Sequence, residues 1–453
     1  MPYPFEIILI FSFLSLLLVI GVFLRSTISL IQNFLIPSSI IGGILGLILL
    51  ELSKSYHFYS YEKTISILEA FAYHFFNISF ISIGLTPPDK VSEKLNQPVY
   101  KGSIWMALIQ GITFPLQTFI GGLIVLLFIQ LNWDLHPTFG FLFPLGFNEG
   151  PGQALSFGKV WEGFGFSHAT TIGLTFATLG YLFCIFVGVP LANWTINKGY
   201  ITNISKPSEE FIKGIYKSKQ YEYIKYPHTI HNSSLEPLAF QFALVGIVLL
   251  LTYLFIISLS NFLPQDVSKM LWGFFFLFGL AIAVLLRNIL KWFNKDYLIN
   301  LFLQRKITSF AIDYLIISTI VAIQIQIFEK YILPILIIAF LGGFLTTMII
   351  IFLGKKLKHY AWERIFAIFG TVTGTTSTGL LLLRIVDPEF KTPIAKEVAI
   401  MNLFSVPIIG TFTILINGYF WWKFSLLTMI GIFGGLMLIF LLATFFYIKR
   451  YQP

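Results

Sequence analysis

Long apolar runs separated by short polar punctuation carry the chain from end to end. About 20 apolar residues suffice for one helical crossing of a bilayer, and such runs recur at about 5–24, 36–52, 65–85, 103–130 and 169–194. After the longest polar stretch, Lys198 to Pro237, they resume at about 239–262, 270–290, 308–328, 331–354 and 395–418, and a last one covers about 424–448. The pattern predicts an all-α integral membrane protein. No small-residue cleavage site follows the first run, so it reads as a retained helix.

Two stretches break this pattern. "FPLGFNEGPGQALSFGKVWEGFGF", Phe143 to Phe166, sets Asn148, Glu149, Gln153 and Lys159 among six glycines and two prolines. At the matching place in the second half stands "FAIFGTVTGTTSTGLLLLRIVDPEF", Phe366 to Phe390. An offset of 224 aligns Gly146 with Gly370, Gly150 with Gly374, Gln153 with Ser377 and Phe166 with Phe390. Hydrocarbon cannot satisfy the loosened backbone of such segments, which is tolerated only where it lines a cavity or is buried in protein. Each therefore reads as a re-entrant hairpin, about 138–166 and about 364–391, the two meeting near the midplane. Two extramembrane loops, or interfacial turns that merely join helices, are the alternative, and they fit poorly with limbs as apolar as Phe139 to Phe147 and Leu380 to Leu383.

Composition agrees: of 453 residues 56% are hydrophobic and 11% charged. The net charge of +9 sits in short loops beside the spans, not on an aromatic-interleaved basic surface, which argues against nucleic acid. The single cysteine, Cys184, forms no intrachain disulfide. With the N-terminus outside, 21 of the 30 Lys and Arg, Arg364 among them, fall in inside loops and 5, Lys330 among them, in outside ones, the asymmetry that fixes orientation in membranes. The C-terminus is then inside. Each half has five crossings, an odd number, so the halves are inverted, a construction plan of many secondary transporters. The expected organisation is a first inverted repeat over 1–197 and a cytoplasmic linker over 198–238. A second repeat over 239–418 and an additional C-terminal helix and tail over 419–453 complete it.

Opposed hairpins would present helix N-termini to an anion and unwound carbonyls to a cation such as sodium. The hydroxyls of Thr371, Thr373, Thr375, Thr376, Ser377 and Thr378 add oxygen ligands, with Thr373 and Thr376 the candidates for sodium. Glu149 at membrane depth is a functional candidate; it would help bind a cation, carry a coupling proton or pair with Lys159, or else face water at a loop tip. Arg384 would bind a substrate carboxylate or anchor the inside end of its segment. Asp313 and His74 would pair, line a path or pack with satisfied hydrogen bonds. Asn77 and Asn402 would serve as amide ligands or bond helix to helix. Gly42 and Gly46 form a close-packing or dimer face. Enzyme signatures are thin: "GTTSTG" puts Ser377 three residues after Gly374, not the two of a nucleophile elbow, and no zinc-type histidine pair occurs.

The chain resembles the bacterial sodium/glutamate symporter family in "IPSSIIGGILGLILL" (36–50), "FFNISFISIGL" (75–85), "GPGQALSFGKVWEGFGFSHATTIGLTFATLGYLF" (150–183), "GTVTGTTSTGLLLLRI" and "VAIMNLFSVPIIG" (398–410). Similarity of order covers about 5 to 418. The resemblance implies sodium-driven uptake of glutamate or a related amino acid or small carboxylate, inverted five-helix halves, a homodimer with a moving transport domain, and a bacterial cytoplasmic membrane. It implies no cofactor beyond sodium as the coupling ion. By resemblance the site positions are Gly150, Gly152, Gln153 and Ser156, with Gly374, Thr376, Ser377 and Thr378. Asn148, Glu149 and Pro151 are foreign to the family's first motif, and Ser377 stands where its second usually has proline. Alternatives are a proton-coupled or exchange carrier for another small organic anion, and an integral membrane enzyme acting on lipid or glycan.

Overall fold

The computed structural model describes residues 5–54, 60–86, 97–201, 209–215, 236–388 and 390–451. Lys90, Lys94 and most of the expected linker, with Lys206, Lys217, Lys219 and Lys225, lie outside them. The described residues form helices and no strands. In the first half these are α1 (Phe5–Thr27), α2 (Ser38–Ser53), α3 (Tyr61–Leu85), α4 (Gln97–Gln130), α5 (Pro151–Glu162) and α6 (Ala169–Asn197). The second half has α7 (Pro237–Ser260), α8 (Val267–Trp292), α9 (Leu301–Val321), α10 (Ile325–Gly354), α11 (Ala361–Val372), α12 (Thr376–Val386) and α13 (Ile394–Leu415). A last helix, α14, spans Leu426–Tyr451.

Local chemistry sets several of these ends. Glu236 accepts from the Ala239 N–H (2.8 Å) with Pro237 at the first helical position, which starts α7. Asn300 accepts from the Leu303 N–H (3.0 Å) and starts α9. That helix begins and ends earlier than its apolar run suggests: the turn falls at Ala322–Gln324, and Lys330, expected in an outside loop, lies in α10 beside a kink at Tyr331. Pro334, which cannot donate to the preceding turn, sits just after that kink. Arg364, counted among the loop charges, is in the first turn of α11 and buried.

Nine helices among the described residues are long and apolar enough to cross a membrane. Of the other two expected spans, α2 has only 16 residues and α9 carries Arg305, Lys306 and Asp313. Large apolar side chains stand exposed along α1 (Leu9, Val19, Phe23), α7 (Leu250, Phe255), α10 (Phe340, Phe344) and α14 (Ile439, Phe446). Water would not tolerate so extended an apolar belt; lipid would.

The helices gather into two groups. In one, α2 packs on α1 and α9, α3 on α8 and α9, and α7 on α8. Gly42 and Gly46 belong to this packing: a β-carbon at Gly42 would stand 2.5 Å from the Leu17 carbonyl oxygen, so the small step seats α1 within the chain. In the other group α4 packs on α10, α13 and α14, α6 on α5 and α10, and α11 on α12.

Candidate functional site

Both glycine-rich stretches fold as broken rods. In the first, a 3-10 turn over Phe139–Phe141 and a π turn over Pro144–Asn148 lead to Glu149. Gly150 then reverses the chain with φ of +88°, and α5 starts at Pro151, a residue suited to the first helical position. In the second, α11 stops at Val372, Thr375 is extended, and α12 starts at Thr376. The Thr375 N–H donates to Thr378 Oγ1 (2.9 Å), whose hydroxyl donates to the Gly370 carbonyl (2.7 Å), so the start of α12 is fastened to the body of α11. The two breaks meet. A β-carbon at Gly150 would stand 3.1 Å from the Gly374 carbonyl oxygen and 3.1 Å from Thr375 Cγ2.

The N-termini of α5 and α12 consequently open on one cavity of about 220 Å³ that lies on the seam between the helix groups. The first group supplies an apolar wall, with Phe76, Phe80 and Ile83 of α3, Phe276 and Leu280 of α8, and Leu315 of α9. The second supplies the polar wall, from the two breaks, from Gln110 of α4 and from Asn402, Ser405 and Thr413 of α13.

Of the residues singled out in the sequence, Glu149, Gly152, Gln153, Thr375, Thr376, Ser377 and Asn402 line this cavity, as does Thr371. Gly150 and Gly374 form the junction beneath it. Ser156 is buried further along α5 with its hydroxyl unpartnered, Thr378 is committed to Gly370, and Thr373, just past the end of α11, donates back to the Phe369 carbonyl (2.8 Å). Arg384 stands away from the cavity wall, exposed, with its guanidinium over the rings of Phe211 (5.2 Å) and Phe390 (5.0 Å). Asp313 and His74 are exposed and off the cavity wall, and Asn77 donates within α3 to the Tyr73 carbonyl (2.9 Å). Lys159 pairs with Glu69 (2.9 Å) and Glu162 (3.5 Å), not with Glu149.

Among the described residues Glu149 is the one ionisable residue on the cavity lining, with no Lys, Arg or His there. Its Oε2 accepts from Gln153 Nε2 (3.0 Å), one turn along, while Gln153 Oε1 is buried without a partner. Asn148 donates to Thr113 Oγ1 (3.1 Å) and ties the first break to α4. The far end of α5 is held by Trp161, whose Nε1–H donates to Asn417 Oδ1 (2.8 Å) beyond α13. Among the described residues no group of three or more His, Cys, Asp or Glu could hold a metal. The site can thus offer two helix N-termini to anionic groups, one carboxylate to a cationic group, and hydroxyl and amide oxygens.

Ser79, Gln110, Ser405 and Thr413 were not singled out in the sequence. Asn402, Ser405, Ile409 and Thr413 fall on one helical face, so a polar stripe on an otherwise apolar span was the available signal.

The sequence profile of the sodium/glutamate symporter family matches residues 3–391. The chain belongs to the sodium/glutamate symporter family. It is a multi-pass membrane protein and a transporter, not an enzyme. No curated protein sequence matches it. The family match stops short of α13 and α14, so the face bearing Asn402, Ser405 and Thr413 lies beyond it.

Proposed function

We propose that this symporter couples sodium entry to uptake of glutamate or a related amino acid or small carboxylate by alternating access across a bacterial cytoplasmic membrane. The observation that carries the reading is the cavity's position: the broken segments meet on a seam with one wall from each helix group. Movement of one group past the other would carry such a site from one side to the other.

The inverted-repeat and re-entrant readings have support of their own. Exchanging the halves exchanges the packing partners: α1 on α2 corresponds to α7 on α8, α2 on α9 to α8 on α3, and α4 on α13 to α10 on α6. Helix α14 has no counterpart. Limbs of 12 and 11 residues, α11 and α12, span roughly 17 Å at helical rise. That is about half of a ~30 Å hydrocarbon core, the length a hairpin needs to turn at mid-depth.

Carboxylates would take the free N–H groups at the starts of α5 and α12, and sodium the oxygens of Thr376, Ser377, Asn402 and the break carbonyls. Because Glu149 stands on the wall, a proton-coupled cycle is the second reading. Uptake into proteoliposomes under an imposed sodium gradient, compared with a pH gradient, separates the two. Accumulation of labelled glutamate under the sodium gradient alone is expected; no accumulation of glutamate, aspartate or dicarboxylates under either gradient sinks the carrier reading.

The Lys159–Glu69 pair crosses the seam and must part if the groups slide. Because Lys159 is largely exposed, such a pair is worth at most ~1 kcal/mol. Glu69→Gln is therefore expected to change initial uptake rates by less than about fivefold, and loss of all uptake would show that Glu69 does more than latch the seam.

A further inference from the structure

We infer that the cavity has a closed counterpart across the junction of the breaks, between α6 and the helices α2 and α9. This second seam opens when the present cavity shuts, with the Tyr181 hydroxyl as its polar contact to the substrate. The inference rests on the carrier and inverted-repeat readings. It goes beyond them by naming a second set of site residues, which stand off the cavity wall here.

The offset of 224 that aligns the two breaks also aligns the spans that follow them: Ala169–Asn197, shifted by it, starts one residue before Ile394–Trp421 and ends with it. At that offset Tyr181, Leu182 and Ile185 of α6 fall on Ser405, Val406 and Ile409 of α13, all three of which line the cavity. Their counterparts on α6 do not. Tyr181, Leu182 and Ile185 pack in one apolar cluster with Ile40 of α2 and Ile316 and Ile320 of α9. Exchange of the halves sends α8 to α2 and α3 to α9, so this cluster occupies the place that the cavity and its apolar wall occupy in the other half. The same arrangement of three helices thus occurs twice, once open and once packed shut, as expected of a carrier that opens one end at a time.

Tyr181 marks this seam as more than permanent packing. It is 0% exposed, and its hydroxyl has no hydrogen-bond partner. Buried tyrosine hydroxyls usually find one, and an orphan costs stability. The same oxygen lies 3.9 Å from the β-carbon position at Gly150, where the breaks meet, so opening the seam would present it to whatever the breaks hold. The exchange is also balanced in burial. Opening exposes the faces of Ile40, Ile316 and Ile320, while shutting the cavity buries Val406 and Ile409 against Phe80 and Leu280. Apolar area given up on one side is regained on the other, which keeps two such arrangements close in free energy.

The test uses the full chain in lipid nanodiscs, where a charged methanethiosulfonate reaches both faces, with uptake measured in parallel proteoliposomes. Single-cysteine variants Ile185→Cys, Ile316→Cys and Ile409→Cys, each with Cys184→Ala, are labelled without ligand, with sodium, and with sodium and glutamate. One condition is expected to speed labelling of Ile185→Cys and Ile316→Cys by about tenfold or more and to slow that of Ile409→Cys by a similar factor. If the first two stay as unreactive as the buried Cys184 of the parent in every condition, in variants that transport, the seam is permanent packing and the inference is overturned. Labelling that rises at all three positions together overturns it too, since that reports loosening and not exchange. Tyr181→Phe is the second arm. It removes an orphan hydroxyl, so it should melt no lower than the parent, yet uptake should fall by about fivefold or more. Wild-type uptake by Tyr181→Phe overturns the role given to Tyr181, and decides the matter alone if the cysteine variants do not transport. Uptake by the parent with a silent seam removes this inference and leaves the carrier standing; no uptake by the parent of glutamate, aspartate or dicarboxylates removes both.

Discussion

Glu397→Ala is expected to destabilise the protein by about 3–5 kcal/mol, the loss found when one partner of a buried ion pair is removed. The Arg364 and Glu397 side chains are 3% and 0% exposed, and they meet as a fork: Nε–H to Oε2 at 2.8 Å and an Nη2–H to Oε1 at 2.7 Å. Such bidentate pairs hold position as well as charge. Arg364 lies in the first turn of α11 and Glu397 in that of α13, while Gly102 of α4 leaves the space that the Glu397 carboxylate fills. Ser103 of α4 also donates to the Glu397 carbonyl (2.9 Å). Three helices of the polar group are thereby joined at one point. Without the carboxylate a guanidinium is left buried, bonded only to the His359 carbonyl (2.9 Å). The melting temperature in detergent checks this. A double change, Arg364→Met with Glu397→Leu, should recover most of the loss, because apolar replacement of both partners is often neutral or better. If Glu397→Ala costs under about 1 kcal/mol, the pair does not join these helices energetically.

The spans were legible because hydropathy reports the solvent of a helix, and each expected run corresponds to a helix. The break between α9 and α10 was not, since "AIQIQ" (322–326) contains neither glycine nor proline and keeps its apolar average across the turn. Charge counting erred at Arg364 for a similar reason: its partner Glu397 is 33 positions away, and no local pattern reveals it. The candidate site divides likewise. Its polar half was visible, because Glu149, Gln153, Thr376 and Ser377 stand out in apolar surroundings. The aromatic half was not, because Phe76, Phe80 and Phe276 look like any of 50 phenylalanines until α3 and α8 face the breaks. Lys159 had Glu162 in view three residues on, yet its closer partner, Glu69, comes from α3.

Gly150→Ala is expected to reduce uptake more than tenfold at unchanged expression. With φ of +88° and ψ of −177° this residue occupies a region open to glycine almost alone, and forcing another residue there costs about 1–3 kcal/mol. Strain is only part of the argument. The added methyl would press on the Gly374 carbonyl and Thr375 Cγ2, each 3.1 Å away, and push apart the two breaks whose neighbours line the cavity. Displacements of an ångström at a binding constellation can cost about a hundredfold in rate. Gly165 supplies the control, since its φ is +98° and nothing lies within 4 Å of the position of an added β-carbon. Gly165→Ala should lower the melting temperature no more than Gly150→Ala does, while leaving uptake within about twofold. The comparison separates backbone strain, common to both, from the junction of the breaks, which only Gly150 touches. Wild-type uptake by Gly150→Ala would mean that the meeting of the two breaks is not what shapes the site.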